Sequence, residues 1–413
     1  MSELVPVSIL FMTVIFFNVK LTSGAMNGFI FFIQFIDTML IDANGFIPIH
    51  PVIKILMSTY QFIYRMFNLN FFTLDRMSFC LWKGANALDV LAFKYVTIVY
   101  SLLLVTVTVL LMKVCNITRL KKNVLFRFTS SGDLVKGTVI HGLSAFFVMC
   151  YSNCAKVTLF LLTPSLIYSM GPPSKHNATK VVFYCGDYLF FHTNHLKYAL
   201  PAVLFAVVLV LIPPILLLIY PLCYRLFAFF RVEETWCIQI ICKVIPLEKM
   251  KPLFDSFQSC FKDKYRYFAG LYFLYRLVAL ISFLASDSLT KFYIALEVQL
   301  ITMLTLQATT YAYRKRWHNI LDALLFADLA VINAMTMYNY DRAKNDDPFT
   351  ISVLSGVQTI LVMLPMLYMV CFVVAHIVWK VKSQKSKRRK QDDLTDTLSA
   401  LIDYRQYTPE NEF

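Results

Sequence analysis

The chain has 413 residues, of which 58% are hydrophobic and only 15% charged, and its formal net charge is +14. Soluble domains carry about a quarter charged residues, so this composition, with a mean hydropathy of +0.61, excludes an ordinary soluble enzyme and a disordered chain. Much of the positive charge lies in short segments beside long apolar runs. That is the pattern of membrane topology, and no nucleic-acid partner is expected.

A spanning helix needs about 20 mostly apolar residues. In chain order, nine segments are candidates: 4–19, 26–41, 91–111, 138–162, 199–220, 268–286, 292–311, 320–337 and 351–379. The first has Glu3 ahead of it and Lys20 behind it, without a basic n-region or a small-residue cleavage site. It reads as a short span rather than a signal peptide, and an N-out span of this kind suits a chain whose natural N-terminus lies further upstream. The second carries Gly28, Gln34 and Asp37. Residues 51–67 are apolar and aromatic but hold Lys54 and Arg65, so they are expected to lie along the outer surface; if they span instead, the N-terminus inverts.

Lys and Arg in short loops set the orientation. The loop 112–137 holds Lys113, Arg119, Lys121, Lys122, Arg127 and Lys136 against Asp133, and the loop 312–319 holds Arg314, Lys315 and Arg316. The tail holds Lys380, Lys382, Lys385, Lys387, Arg388, Arg389 and Lys390. All three are expected to be cytoplasmic. The resulting fold class is an all-α integral membrane protein with about nine transmembrane helices, N-out and C-in, in the plasma membrane. The sequon Asn177-Ala178-Thr179 then falls outside as a glycosylation site, as does the acidic stretch 341–347.

This topology divides the chain into five regions. Residues 1–90 hold the first two spans and the outer-surface segment. Residues 91–220 hold spans three to five with the outer loop 163–198. Residues 221–267 form a cytoplasmic loop, expected to fold against the membrane. Residues 268–379 hold spans six to nine, and 380–413 form a basic, then amphipathic, tail. In the outer loop, Gly171-Pro172-Pro173 precedes Val181–Tyr184, Gly186-Asp187 and Tyr188–Phe191, a small β-hairpin-like cap.

Of the ten cysteines, only Cys80 and Cys185 fall in outer loops. An oxidising exterior permits a bridge between them; the alternative is two free, buried thiols. Cys237 and Cys242 have no His or Cys at metal-ligand spacing, and no metal or other cofactor is expected.

Ionisable residues inside spans default to functional hypotheses. Arg276 and Asp328 each lie eight residues into spans running the same way, about 12 Å deep, so a charge pair between them is expected. Glu297, Asp322 and Asp328 are candidates for an ion path. Asp322 and Asn333, eleven residues apart, face one way on a helix. His141, Ser144, Ser152 and Lys156 form a stripe at helical spacing that marks helix packing more often than a pore. Pro213-Pro214 removes two backbone donors and predicts a kink or hinge, with freed carbonyls at Leu209 and Val210. No catalytic constellation is present, and no enzyme activity is expected.

The tail's Lys380–Lys390 stretch places seven basic residues in eleven beside the membrane, a site for anionic inner-leaflet lipid worth about 1 kcal/mol per basic residue. Leu394, Leu398, Leu401 and Ile402 then repeat at helical spacing, for the membrane surface or a cytoplasmic partner.

Several stretches carry a resemblance. They include residues 21–30 (LTSGAMNGFI), 67–72 (FNLNFF), 78–84 (SFCLWKG), 88–95 (LDVLAFKY) and 141–144 (HGLS). Pro213-Pro214 with Tyr220-Pro221-Leu222-Cys223-Tyr224, then 257–263 (FQSCFKD) and 267–272 (YFAGLY), complete the set. From about Asn18 to Trp379 the chain resembles the C-terminal multi-pass region of large surface proteins of early-branching animals. Their ectodomains carry repeats like those of polymorphic outer-membrane proteins. More distantly, it is similar to the membrane region of TRP-like and polycystin-like proteins. The resemblance implies a TRP-like ion channel or channel-like subunit, with homo-oligomers in view. The alternative is a non-conducting surface receptor or membrane anchor whose inner loop and tail bind cytoplasmic partners. Because the repeat ectodomain is lacking, the chain is expected to be a fragment or a short member.

Overall fold

The computed structural model describes residues 22–39, 86–117, 132–168, 178–183, 185–230, 247–343 and 353–375, with Val378, Lys382, Ser383 and Ser386. Segment 4–19, the outer-surface stretch 51–67, Cys80, Asn177 and the tail beyond these few positions lie outside the described residues. By contact the chain divides into a large unit ending at Met363 and a smaller one beginning at Leu364. The helix bundle and its sheet belong to the large unit.

The described chain is mostly helical: α1 (Gly24–Met39), α2 (Ala87–Ile117), α3 (Gly132–Leu162), α4 (Thr193–Phe205), α5 (Ile212–Phe230), α6 (Leu247–Gln258), α7 (Phe268–Ala285), α8 (Leu289–Thr310) and α9 (Arg316–Ala343). A further helix, α10, covers Val353–Ala375. Among the described residues seven helices are long and apolar enough to cross a membrane, with α4 and α5 counted as one. They correspond to the third through ninth predicted segments. The second predicted segment is different. Helix α1 has 16 residues and rises about 24 Å, short of a ~30 Å hydrocarbon layer. Its apolar side chains are buried on every side: Phe29, Ile30, Phe32, Ile33 and Ile36 are each at most 1% exposed. It packs against α9, α7 and α3, so protein encloses it where lipid was expected.

Two glycines let α1 approach that closely. A Cβ at Gly24 would stand 2.5 Å from His318 Nδ1, and one at Gly28 would stand 2.6 Å from Asp322 Oδ1. These glycines are one turn apart, as are His318 and Asp322 on α9, so a small-xxx-small face of α1 lies on a polar ridge of α9. These contacts also set the direction of α1. Its start meets the beginning of α9, and its end is held by Tyr293 of α8, whose hydroxyl donates to the Met39 carbonyl at 3.3 Å. It runs parallel to α9 and antiparallel to α8.

Local chemistry fixes the ends of several helices. Asn86 and Asp89 form a reciprocal capping box at the start of α2, with N–H to side-chain oxygen distances of 2.8 and 3.0 Å. Ser288 caps α8 by accepting from Lys291 N–H. Tyr311 ends α8 in the left-handed region at φ 46°, where glycine is the usual residue. The reversal feeds a short antiparallel pairing: Lys262 N–H donates to the Ala312 carbonyl at 2.9 Å and Arg314 N–H to the Cys260 carbonyl at 3.0 Å.

The predicted hairpin-like cap is a three-stranded antiparallel sheet, β1 (Pro164–Tyr168), β2 (Ala178–Val182) and β3 (Cys185–Leu189). The strands are shifted from the predicted ones, and β1 is an addition. His195, fully buried, ties the cap to the bundle: it accepts from Phe191 N–H at 3.0 Å and donates to the Leu161 carbonyl at 2.9 Å. Cys185 is a free, buried thiol paired in register with Val182, so the expected Cys80–Cys185 bridge is not formed. Its side chain is taken up by the cap. Burial pushes the Cys185 thiol above its ordinary pKa. Alkylation at pH 8.5, followed by peptide mass mapping, is expected to modify Cys185 at least about tenfold more slowly in native than in unfolded protein, because only the thiolate reacts.

Ahead of Pro213-Pro214 the helical hydrogen bonding changes. The turn Ala206–Leu211 is a π-helix closed by Ile212 N–H to the Val207 carbonyl, and Tyr151 of α3 donates its hydroxyl to the freed Val210 carbonyl at 3.1 Å. Pro221 frees the Leu217 carbonyl in the same way, and Gln258 Nε2 donates to it at 3.0 Å. Beside this break α7 packs tightly: a Cβ at Gly270 would stand 2.9 Å from both the Pro214 carbonyl oxygen and the Leu218 nitrogen. Backbone atoms give way poorly, so Gly270→Ala is expected to destabilise by about 1–3 kcal/mol, read as a lowered thermal midpoint in detergent.

Candidate functional site

The inward faces of α1, α3, α7, α8 and α9 hold a polar spine within an apolar bundle. Its first level is at the end where α9 begins. Tyr272 of α7 donates its hydroxyl to Asp322 Oδ2. Tyr313 in turn donates to the Tyr272 hydroxyl at 3.1 Å. Asn319 locks the loop above them: its Oδ1 accepts from Tyr313 N–H at 2.8 Å and from Gln307 Nε2 at 3.2 Å, and its Nδ2 donates to the Tyr313 carbonyl at 3.0 Å. Phe261 stacks on Tyr313 with ring centroids 4.6 Å apart. Asp322 is therefore enclosed, 2% exposed, with Gly28 against its other oxygen.

The second level is α1's own polar residue, Gln34. Its Nε2 donates to the carbonyls of Val148 at 2.9 Å and Met149 at 3.3 Å, and its Oε1 accepts from Ser152 Oγ at 2.9 Å. Ser152 of the predicted α3 stripe thus serves helix packing. Arg276 belongs to the same depth. It is 3% exposed, and its Nε, Nη1 and Nη2 have no hydrogen-bond partner. The guanidinium lies over the rings of Phe273, at 5.1 Å, and Phe31, at 5.4 Å. Phe31 also meets Tyr272 and Phe326 with centroids 5.2 Å apart.

The expected Arg276–Asp328 pair is not formed. Equal depth places two residues at one height but not on facing sides. The enclosed face of α9 carries Asp322, Phe326 and Asn333; Asp328 lies about 120° round from Asp322 and is half-buried on a flank. Helix α1, packed on both α7 and α9, carries the aromatic face that Arg276 meets instead.

The third level lies toward the other end. Asn333 Nδ2 donates to the Tyr293 carbonyl at 2.9 Å and to Glu297 Oε2 at 2.8 Å. Gln299 Nε2 donates to Ser282 Oγ at 2.8 Å, and Gln358 Nε2 to Thr336 Oγ1 at 2.6 Å. Asp322 and Asn333 do share a face, as their spacing predicts. Glu297, Asp322 and Asp328 do not converge: Glu297 and Asp322 occupy opposite ends of the spine, and Asp328 lies off it. Among the described residues, no group of three or more His, Cys, Asp or Glu side chains converges to hold a metal ion.

Sequence reasoning passed over Tyr272, Tyr313 and Asn319, which carry most of the hydrogen bonds at the enclosed end, and Tyr151, which meets Val210. The available signal was Gly24-Ala25-Met26-Asn27-Gly28, a small-xxx-small motif that asks for a close helix neighbour. No family model, no curated protein and no solved structure matches the chain.

A buried carboxylate that loses a donor costs about 1–3 kcal/mol. Tyr272→Phe is expected to destabilise by that amount in detergent denaturation, and by distinctly less on an Asp322→Asn background. A double-mutant cycle reads the coupling.

Proposed function

We propose that this chain is a plasma-membrane ion channel or channel-like subunit of TRP-like plan, N-out and C-in. On this reading segment 4–19 and α1 complete the nine predicted passes, with α1 entering inside the bundle rather than in contact with lipid. Asn177 is the outer glycosylation site, and the Lys380–Lys390 stretch meets anionic lipid at the inner leaflet.

The observation that carries the reading is a set of buried polar atoms without hydrogen-bond partners at three heights. They are Gln258 Oε1, Gln307 Oε1 and His318 Nδ1 near the enclosed end, the three Arg276 nitrogens midway, and Gln299 Oε1, Asn333 Oδ1 and both Asn339 side-chain atoms further on. In an apolar setting each such group costs several kcal/mol. On this reading water satisfies them, and a hydrated seam through the bundle is the first requirement of conduction. Arg276 stands midway as a fixed positive barrier, with the acids Asp322 and Glu297 toward either end.

A second reading rests on the enclosure of Asp322 by Tyr272 and Gly28, beneath the Tyr313–Asn319 lock. Such a sealed end suits a non-conducting receptor or anchor, in which the 221–267 region and the tail bind cytoplasmic partners.

Flux from vesicles holding the purified chain separates the two. Conduction is expected above the level of empty vesicles. Arg276→Gln should raise cation flux by about tenfold, since removing ~1.4 kcal/mol of barrier is a factor of ten in rate. Flux equal to that of empty vesicles for both proteins favours the anchor.

A further inference from the structure

Beside α6 a half-open cavity of about 560 Å³ lies between the middle of α5, helix α6 and the turn before α7. Tyr220 and Pro221 form one wall, and Lys251, Asp255, Asp263, Lys264 and Arg266 form the others. The aromatic wall is braced, because Tyr220 stacks on Phe254 of α6 with centroids 4.7 Å apart.

The charges in the cavity are unequal in commitment. Arg266 donates to Asp255 at 3.1 Å and to Asp263 at 2.9 and 2.6 Å. Arg314 adds a further bond to Asp263 at 2.9 Å and holds the Phe261 carbonyl. Two guanidiniums thus answer both carboxylates. Among the described residues, Lys251 and Lys264 have no carboxylate partner; the Lys264 ammonium stands over Tyr265 at 5.2 Å. The net positive charge of the cavity therefore resides on two flexible ammonium groups beside an aromatic wall. Ammonium groups bind phosphate as point charges. The volume falls within the ~300–1,000 Å³ of small-molecule sites, so it takes a phosphorylated head group rather than a bare ion.

We propose that this cavity binds a phosphate-bearing head group, held by Lys251 of α6 and Lys264 of the following turn against Tyr220. The cavity lies beside the ends of the apolar stretches Thr193–Pro221 and Asp263–Ala285, so the same chemistry is offered by an anionic lipid and by a soluble phosphorylated metabolite. Occupancy has a mechanical consequence. Pro221 lines the cavity and frees the Leu217 carbonyl that Gln258 holds, so a bound phosphate bridging Lys251 and Lys264 ties α6 to the turn before α7 beside the proline break of α5.

The test uses the full chain in phosphatidylcholine nanodiscs. One arm adds phosphatidic acid to the bilayer; the other adds soluble inositol hexakisphosphate to lipid-neutral discs. Thermal midpoint and native mass spectrometry read binding to wild type, to Lys251→Gln/Lys264→Gln, to Lys251→Arg/Lys264→Arg, and to a tail variant with Lys387, Arg388, Arg389 and Lys390 changed to Gln. The expected result is stabilisation of wild type in at least one arm and retention in the Arg and tail variants. A loss of at least tenfold in apparent affinity is expected in the Gln variant, with its ligand-free midpoint unchanged because both lysines are exposed. A response in the first arm alone identifies lipid, in the second alone a soluble ligand, and in both the shared phosphate chemistry. The proposal is overturned by no response in either arm, by an undiminished response in the Gln variant, or by a response that vanishes with the tail charges.

Discussion

In a bundle surrounded by hydrocarbon, every polar group must find its partner within the protein. The arrangement of this chain results from that rule acting on one element. Helix α1 is too short to span alone and carries Asn27, Gln34 and Thr38 among aromatic residues. It is stable only if enclosed. Enclosure needs close approach, which Gly24 and Gly28 allow, and polar partners, which α3 supplies at Val148, Met149 and Ser152. Once α1 is inside, α7 and α9 meet it rather than simply each other, and the order of the spine is set.

The same rule governs the prolines. Each interior proline removes an N–H and leaves a carbonyl four residues earlier without its helical partner. At Val210 and Leu217 those carbonyls are met by Tyr151 and Gln258. The break in the α4–α5 rod is thereby tied to α3 on one side and to α6 on the other. A proline kink in lipid would otherwise expose backbone to hydrocarbon; in this chain it becomes the attachment point for two neighbours.

These dependences explain which features the sequence made legible. The long apolar helices, the break before Pro213, the freed carbonyl at Val210 and the shared face of Asp322 and Asn333 depend on local rules of composition, proline chemistry and helical periodicity. The direction of α1 was not legible, because it inverts if residues 51–67 span. Pairings across the bundle were not either. Height along a helix comes from residue number, but the side it presents depends on neighbours, and α1 was read as one more span in lipid rather than as the element between two others. That is why Arg276 and Asp328, expected at one height, do not meet. The cysteine expectation failed for a related reason: compartment decides which thiols are eligible for pairing, while the register of β3 decides where the Cys185 side chain goes.

The missing pair leaves Arg276 as an uncancelled charge. An Arg–Asp contact at mid-depth would have neutralised both residues and left the centre electrostatically quiet. Aromatic faces attract a guanidinium, by about 2 kcal/mol or more when desolvated, but they return no negative charge. The positive potential at the centre of the spine therefore persists, and it acts on any ion or water column that reaches it. A bundle that served only to anchor would be more stable with an apolar residue at 276, since an unpaired buried charge weakens packing without adding a bond. The channel reading proposed above gives that unpaired cation a role, beside the orphaned side-chain oxygens of Gln299, Gln307 and Asn333, that an anchor does not.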